Sequence, residues 1–258
     1  MSFDPVSRLD GKVAVITGGL GAIGYATALR LAALGASCVL LHRGRSASAA
    51  EAGERIAALP SSTGQRHAAL AADIVDTPSL QRAAAEVAAQ HGRCDILVNS
   101  AGHTRPVPAG DLDGLSDALI DELLQANFRG VFATIRAFVP LLRQGGDGLI
   151  VNVSSIAGFT GVGSNLAYVA AKAGLDVVGD ALAKALAPAV RVVSVSPGAV
   201  ESGFVPGRGE DFKAKMASTT PLGRIGLPQD VAGTVEALAT TMRFVTGTRI
   251  VVDGGRHL

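Results

Sequence analysis

Cysteine is nearly absent from this 258-residue chain: Cys38 and Cys94 are its two, and no C-x-x-C occurs. Two isolated thiols make neither a disulfide framework nor the ligand set of a structural zinc site, so no metal is expected. An excess of one charge sign is also missing, with 23 Lys+Arg against 22 Asp+Glu and a net charge of +1. Nothing general then drives the chain toward nucleic acid or an anionic membrane. Charged residues make up only 17% and hydrophobic ones 48%, which excludes a disordered chain. No apolar run approaches the roughly 20 residues that span a bilayer. The stretch from Met1 to Asp10 lacks the apolar segment of a signal peptide. The expectation is a soluble, cytoplasmic protein.

What is present is alternation. Short β-branched runs, Val13–Ile16, Cys38–Leu41, Ile96–Val98, Leu149–Val153, Val190–Val195 and Ile250–Val252, read as strands apolar on both faces. Between them lie helical patterns at Ala22–Leu34, Ala47–Leu59, Ser79–His91 and Ser116–Ala126. A further stripe of Phe128, Val131, Phe132, Ile135, Phe138, Val139 and Leu142 recurs at helical spacing. Crossover helices between parallel strands predict a doubly wound α/β fold, with about seven strands and helices on both faces. No linker or repeat interrupts the pattern, so residues 1–258 read as one domain. The stretch 199–221, with Gly203, Pro206, Gly207 and Gly209, reads as a long irregular connection, the kind that often serves as a functional loop.

Two places carry chemistry. The first strand runs into Thr17-Gly18-Gly19-Leu20-Gly21-Ala22-Ile23-Gly24 and then a helix. Glycines there let backbone approach a pyrophosphate at the positive helix end, although a ligand-free tight turn has the same composition. Farther on, Tyr168 and Lys172 stand four residues apart, on one helix face. An ammonium beside a phenol lowers the phenol's pKa and makes it a usable acid or base, although an exposed helix face offers the same pair without function.

Ser155 lies 13 residues before Tyr168, at the carboxyl end of Leu149–Val153, where open α/β sheets place ligands. Taken with Thr17-Gly18 through Gly24, Asp73-Ile74, Asn99-Ser100-Ala101-Gly102, Asn127, Pro197-Gly198 and Val252-Asp253-Gly254-Gly255, the chain resembles the short-chain dehydrogenase/reductase family over essentially its whole length. The resemblance implies an enzyme that transfers hydride between a nicotinamide cofactor and a carbonyl or secondary alcohol. Tyr168 would exchange the proton, Lys172 would depress its pKa and hold the nicotinamide ribose, and Ser155 would hold the substrate oxygen. Asn127 would position a water linking Lys172 to solvent. Gly18, Gly21, Ile23 and Gly24 would take the pyrophosphate. Asp73 and Ile74 would meet adenine, Asn99, Ala101 and Gly102 the adenosine ribose, and Pro197, Gly198, Val200 and Ser202 the nicotinamide end. Four departures stand out: Ala22 where a glycine is usual, with Gly21 displaced by one; Ser100 for an asparagine; Ser202 for a threonine, which keeps the donor; and Val193 for another asparagine.

The second strand ends at His42-Arg43-Gly44-Arg45, and no carboxylate occurs from Ser37 through Ala50. A carboxylate there would bond the ribose 2′-hydroxyl, whereas arginine accommodates a 2′-phosphate. NADP(H) is the expected cofactor, with NAD(H) the alternative. His103, Thr104, Arg105, Phe159, Val162, Asn165 and the 199–221 loop are candidate substrate-lining residues. They fit a 3-oxoacyl thioester, with a polyol, sugar or small alcohol as the alternative, although Asp176 and Asp180 disfavour an acidic carrier protein. The resemblance further implies a homotetramer, or otherwise a dimer, through the helices at 128–142 and 168–187. A non-catalytic dinucleotide sensor on the same fold would have no need of Ser155, Tyr168 and Lys172 together.

Overall fold

The computed structural model describes residues 8–44, 49–62, 64–207 and 209–258. Seven strands form one parallel sheet: β1 Val13–Thr17, β2 Ser37–His42, β3 Ala68–Ala71, β4 Ile96–Asn99, β5 Gly148–Val153, β6 Val190–Pro197 and β7 Thr248–Val252. Their order is β3-β2-β1-β4-β5-β6-β7. The helices are α1 Ala22–Ala33, α2 Ala49–Ala57, α3 Thr77–His91, α4 Asp117–Leu124, α5 Gly130–Gln144, α6 Ala157–Thr160, α7 Leu166–Leu186, α8 Glu210–Ser218 and α9 Pro228–Ala239.

Strand alternation divides the core. Ala14 and Ile16 of β1, Leu40 of β2, Val98 of β4, Val151 of β5 and Val195 of β6 face α1 and α9. Their neighbours Val13, Val15, Val39, Leu97, Ile150 and Val192 face the other way, onto α3, α5 and α7. Both sides are dry because period-two side chains here are apolar in both phases.

Differences from the expected elements have local causes. β3 is Ala-Ala-Leu-Ala, a half-buried edge strand without the β-branched residues that mark the other six. α3 starts at Thr77 because Pro78 suits a first helical turn. The stretch 199–221 is not all irregular: α8 occupies Glu210–Ser218, opening on two acidic residues that suit a helix N-terminus. The expected helix at Ala47–Leu59 is observed as α2, and residues 47 and 48 lie outside the described residues, as does Arg45. Among the stripe residues Phe132 turns outward, whereas Phe138 is fully buried. No helix among the described residues is long and apolar enough to cross a membrane.

Candidate active site

The chain passes from β3 back across β1 to β4, so β1 and β4 lie side by side while their following segments diverge. That is the switch point where doubly wound sheets open a crevice. Thr17 ends β1 in register with Asn99 of β4. Its hydroxyl accepts from the Ser100 and Ala101 N–H groups at 3.1 Å each, and the Ser100 hydroxyl donates to Thr17 O at 2.6 Å. The serine that departs from the family pattern is therefore a clasp between the two strand ends.

The glycine turn is held by close backbone contact. Gly18 has φ +62°, and a Cβ there would lie 3.0 Å from Ala101. A Cβ on Gly24 would lie 2.4 Å from Gly18 O, so α1 can start this close to β1 only on glycine. Gly21 caps α1 with no side chain over its first N–H groups. Those donors point into the crevice end of the sheet, and a phosphate fits such a cradle. Ala22 opens the helix, while Ile23 is half-buried against the α1 face of the core. Gly19, which was not singled out as a ligand contact, packs instead on β2, with Leu40 Cβ 2.6 Å from its would-be Cβ.

His42 ends β2, and its Nδ1 accepts the Gly44 N–H at 3.2 Å. Arg43 beside it is exposed. Asp73 lies half-buried after β3 and accepts the Val75 N–H at 3.1 Å, while Ile74 is buried. Gly130, whose Cβ would lie 3.0 Å from Ile74 O, lets α5 approach this segment.

Lys172 is 4% exposed, and its Nζ donates to Val153 O at 2.8 Å. The same nitrogen lies 5.6 Å from the centroid of the Tyr168 ring. Burial pulls the ammonium down to about 8, with Asp176 opposing. Val153 ends β5, so the strand that carries Ser155 two residues later also anchors the lysine. α6 presses onto α7 at this point: a Cβ on Gly158 would lie 2.9 Å from the Lys172 carbonyl carbon. Ser155 is half-buried, its hydroxyl accepting the Ala157 N–H at 3.1 Å. Ser155, Tyr168 and Lys172 are thus brought to one corner by α6 lying across α7.

Asn127 sits in a π-type turn, Gln125–Arg129, between α4 and α5. It is fully buried, and its Nδ2 donates to His103 O at 2.9 Å and Leu123 O at 3.0 Å. Its Oδ1 is buried without a hydrogen bond, and a Cβ on Gly102 would lie 2.5 Å from that oxygen. The Asn99 side chain is buried between strands, donating to Asn152 Oδ1 at 2.9 Å.

Pro197 closes β6 and accepts the Ile156 N–H at 3.0 Å. Gly198 is fitted against Asp253, whose Cβ lies 2.7 Å from its would-be Cβ. Val200 bridges to Gly226, and exposed Ser202 accepts the Phe204 N–H at 3.4 Å. Phe204 leans over the Tyr168 ring, 6.0 Å between centroids. It was not singled out in the sequence, where an aromatic in a glycine-rich loop carries little signal.

Asn165, expected to line the substrate site, and Asp176, expected to face a partner protein, both behave differently. Asn165 is 2% exposed and accepts the Tyr168 N–H at 2.7 Å, so it caps α7 instead of lining a cavity. Asp176 is buried too and presents no charge to a partner protein, whereas Asp180 is exposed. His103 bonds Glu122 at 2.7 Å, Thr104 is buried, and Arg105 and Val162 are exposed. Phe159 stacks edge-on to His257.

A doubly wound sheet with a glycine turn after β1 and a Tyr–Lys pair beyond β5 defines a dinucleotide-fold oxidoreductase class. Residues 19–257 match the family profile described as enoyl-(acyl carrier protein) reductase. A protein provisionally named ketoacyl reductase 2 of the granaticin polyketide synthase, from Streptomyces violaceoruber, is 38% identical, covering 96% of this chain and 97% of its own. D-threitol dehydrogenase of Mycolicibacterium smegmatis is 36% identical over 99% of this chain and 96% of its own. The crystal structure of a dehydrogenase/reductase from Sinorhizobium meliloti 1021 superposes with TM-score 0.88 at 33% identity, covering 98% of both chains. The chain belongs to the short-chain dehydrogenase/reductase family. It is an oxidoreductase of the carbonyl/CH–OH type, in a family that uses NAD(H) or NADP(H).

Proposed function

We propose that residues 1–258 form one catalytic unit in which Tyr168, Lys172, Ser155 and Asn127 interconvert a carbonyl and a secondary alcohol. The observation that carries this is the dry Lys172 ammonium, anchored on Val153 O and poised over Tyr168. Such a cation favours the phenolate and lets Tyr168 donate a proton to a carbonyl oxygen or take one from a hydroxyl. Ser155, half-exposed beside it, can donate to the same oxygen as charge develops there. Val153 takes one of the lysine's three N–H donors, so the others can meet a ribose. The unpaired Oδ1 of Asn127 suits a water on the route from Lys172 to solvent.

The nicotinamide cofactor supplies or accepts the hydride. Gly18, Gly21, Ile23 and Gly24 would take its pyrophosphate, Asp73 and Ile74 its adenine, and Ala101 and Gly102 its adenosine ribose. Pro197, Gly198, Val200 and Ser202 would flank the nicotinamide. Asn99 would act at one remove, by fixing the β4 end. Exposed Arg43 beside His42, without a carboxylate nearby, supports NADP(H) over NAD(H). A 3-oxoacyl thioester remains the first substrate class, supported by the ketoacyl reductase relative and by the burial of Asp176; the threitol dehydrogenase supports a polyol as the alternative.

Exposed apolar residues on two helices, Phe132 on α5 and Leu166 and Val177 on α7, support a homotetramer or dimer built on them. The test of the site is Tyr168→Phe. It removes one hydroxyl and keeps the ring against Phe204, so turnover should fall ~10²–10⁴-fold with cofactor binding retained. Activity within threefold of wild type would reject the assignment.

A further inference from the structure

One turn beyond Lys172, α7 carries a second buried charge. The Asp176 side chain is 3% exposed, and its spacing puts it on the lysine's face of the helix. Arg249 of β7 brings Nε to 3.0 Å from Asp176 Oδ2. The approach is out of line for a hydrogen bond, so both carboxylate oxygens and that nitrogen go without one. The Arg249 guanidinium is itself braced, 4.8 Å over the Phe159 ring. A dry carboxylate without hydrogen bonds is costly, and the aliphatic packing around it gains nothing from it. Its partners are charges: Lys172 on its own helix and Arg249 across the helix–sheet interface.

Few other titratable groups face this pair. Tyr168 lies on the Lys172 side. α6 contributes none, only Phe159 beneath Arg249. His257, edge-on to Phe159, is bound to Asp253 at 2.8 Å. β5 and β6 present Asn152, Ser194 and Ser196, which do not titrate. Glu122 of α4 is occupied by His103, and Arg129 of the π-type turn reaches away to Val75 O.

We propose that Asp176 is a positioning residue that sets, through Lys172, the pH range in which the Tyr168–Lys172 pair works, and that Arg249 limits how much of its charge the pair feels. This rests on the proton-transfer reading of Tyr168 and Lys172. A negative charge beside two coupled sites holds protons on both, so its loss moves their joint titration to lower pH. Burial and Asp176 already act on Lys172 in opposite senses. Arg249 partly neutralises the carboxylate, and its loss moves the titration the other way.

The experiment is kcat/KM for alcohol oxidation against pH in wild type, Asp176→Asn, Arg249→Met and the double variant. Asparagine keeps the shape of aspartate, and methionine keeps contact with Phe159. Asp176→Asn should displace the profile toward acid by about one pH unit, the order expected between unit charges one turn apart in protein. Arg249→Met should displace it toward alkali, and the double variant should fall between. A profile unmoved by Asp176→Asn in an active enzyme, or displacements of the same sign in both single variants, overturns the proposal. Loosened packing would lower activity without opposite displacements. Should Asp176→Asn fail to fold, Arg249→Met alone decides by its alkaline displacement or the lack of one. The underlying site reading fails separately, through an active Tyr168→Phe.

Discussion

Asn165 joins three things the site needs, and its replacement is the sharpest structural test. Its Oδ1 caps α7 by accepting the Tyr168 N–H at 2.7 Å. Its Nδ2 donates to Arg105 O at 2.7 Å and Thr104 Oγ1 at 3.2 Å, tying the helix start to the segment after β4. Asn165→Ala removes all three bonds at a buried position. Loss of a cap costs about 0.5–2 kcal/mol. The two donor bonds add about 1 kcal/mol each. The sum is about 3 kcal/mol, and at ~2–4 °C per kcal/mol for a chain of this size the melting temperature should fall by about 6–12 °C. Tyr168 sits in the first turn of the loosened helix. Because ~1 Å of misplacement can cost 10²-fold, kcat should fall about tenfold or more. Asn165→Ser is the control: serine caps well but is too short to reach Arg105 O, so about half the melting loss and most of kcat should return. Calorimetry and steady-state kinetics on the three proteins read both quantities. An Asn165→Ala enzyme that melts within 2 °C of wild type at unchanged kcat would refute the reasoning.

Three further outcomes rest on other contacts of the protein. Burial pushes the Asp95 carboxyl up, but the Arg93 fork at 2.6 and 2.8 Å, the Val13 N–H at 2.9 Å and Lys12 hold it below the usual carboxylate range. Its stabilisation is therefore complete above the unfolded value of about 3.9 and is lost as pH falls through the lower folded value. Asp95→Asn should cost about 1–3 kcal/mol at neutral pH, and its melting curve should converge with wild type in acid; parallel curves from pH 2 to 7 would contradict this. Arg43→Ala should raise Kd for NADP(H) about tenfold or more at low salt while barely moving NAD(H), and equal losses for both would dismiss the 2′-phosphate assignment. Val177, 68% exposed on α7, should sit in a subunit contact. Light scattering should give a multiple of 26.0 kDa for wild type and a smaller species for Val177→Glu, and a wild-type monomer would remove the interface.

Some of this was legible in the sequence because it is local. β-branched runs make six of the seven strands visible, and Tyr168 with Lys172 needs only helical spacing. β3 was not legible because Ala68-Ala69-Leu70-Ala71 is strand by virtue of its pairing with β2, an edge position that no intrinsic preference marks. α8 hid behind glycine and proline that belong to the loop before it. The parts of the site that join separate elements were invisible for the same reason. Gly158 reads as one of 32 glycines until α6 is seen lying on the Lys172 backbone. Asp176 and Asp180, spaced by four, both read as charges that disfavour an acidic carrier protein. The structure splits them, because only Asp176 points back toward β7, where Arg249 waits on a strand far along the chain. A buried charge is tolerated only where such a partner exists, and partnership between distant segments is a property of the fold. What sequence spacing can expose is the Tyr168–Lys172 pair itself; the charges buried around that pair come from helix and sheet packing together.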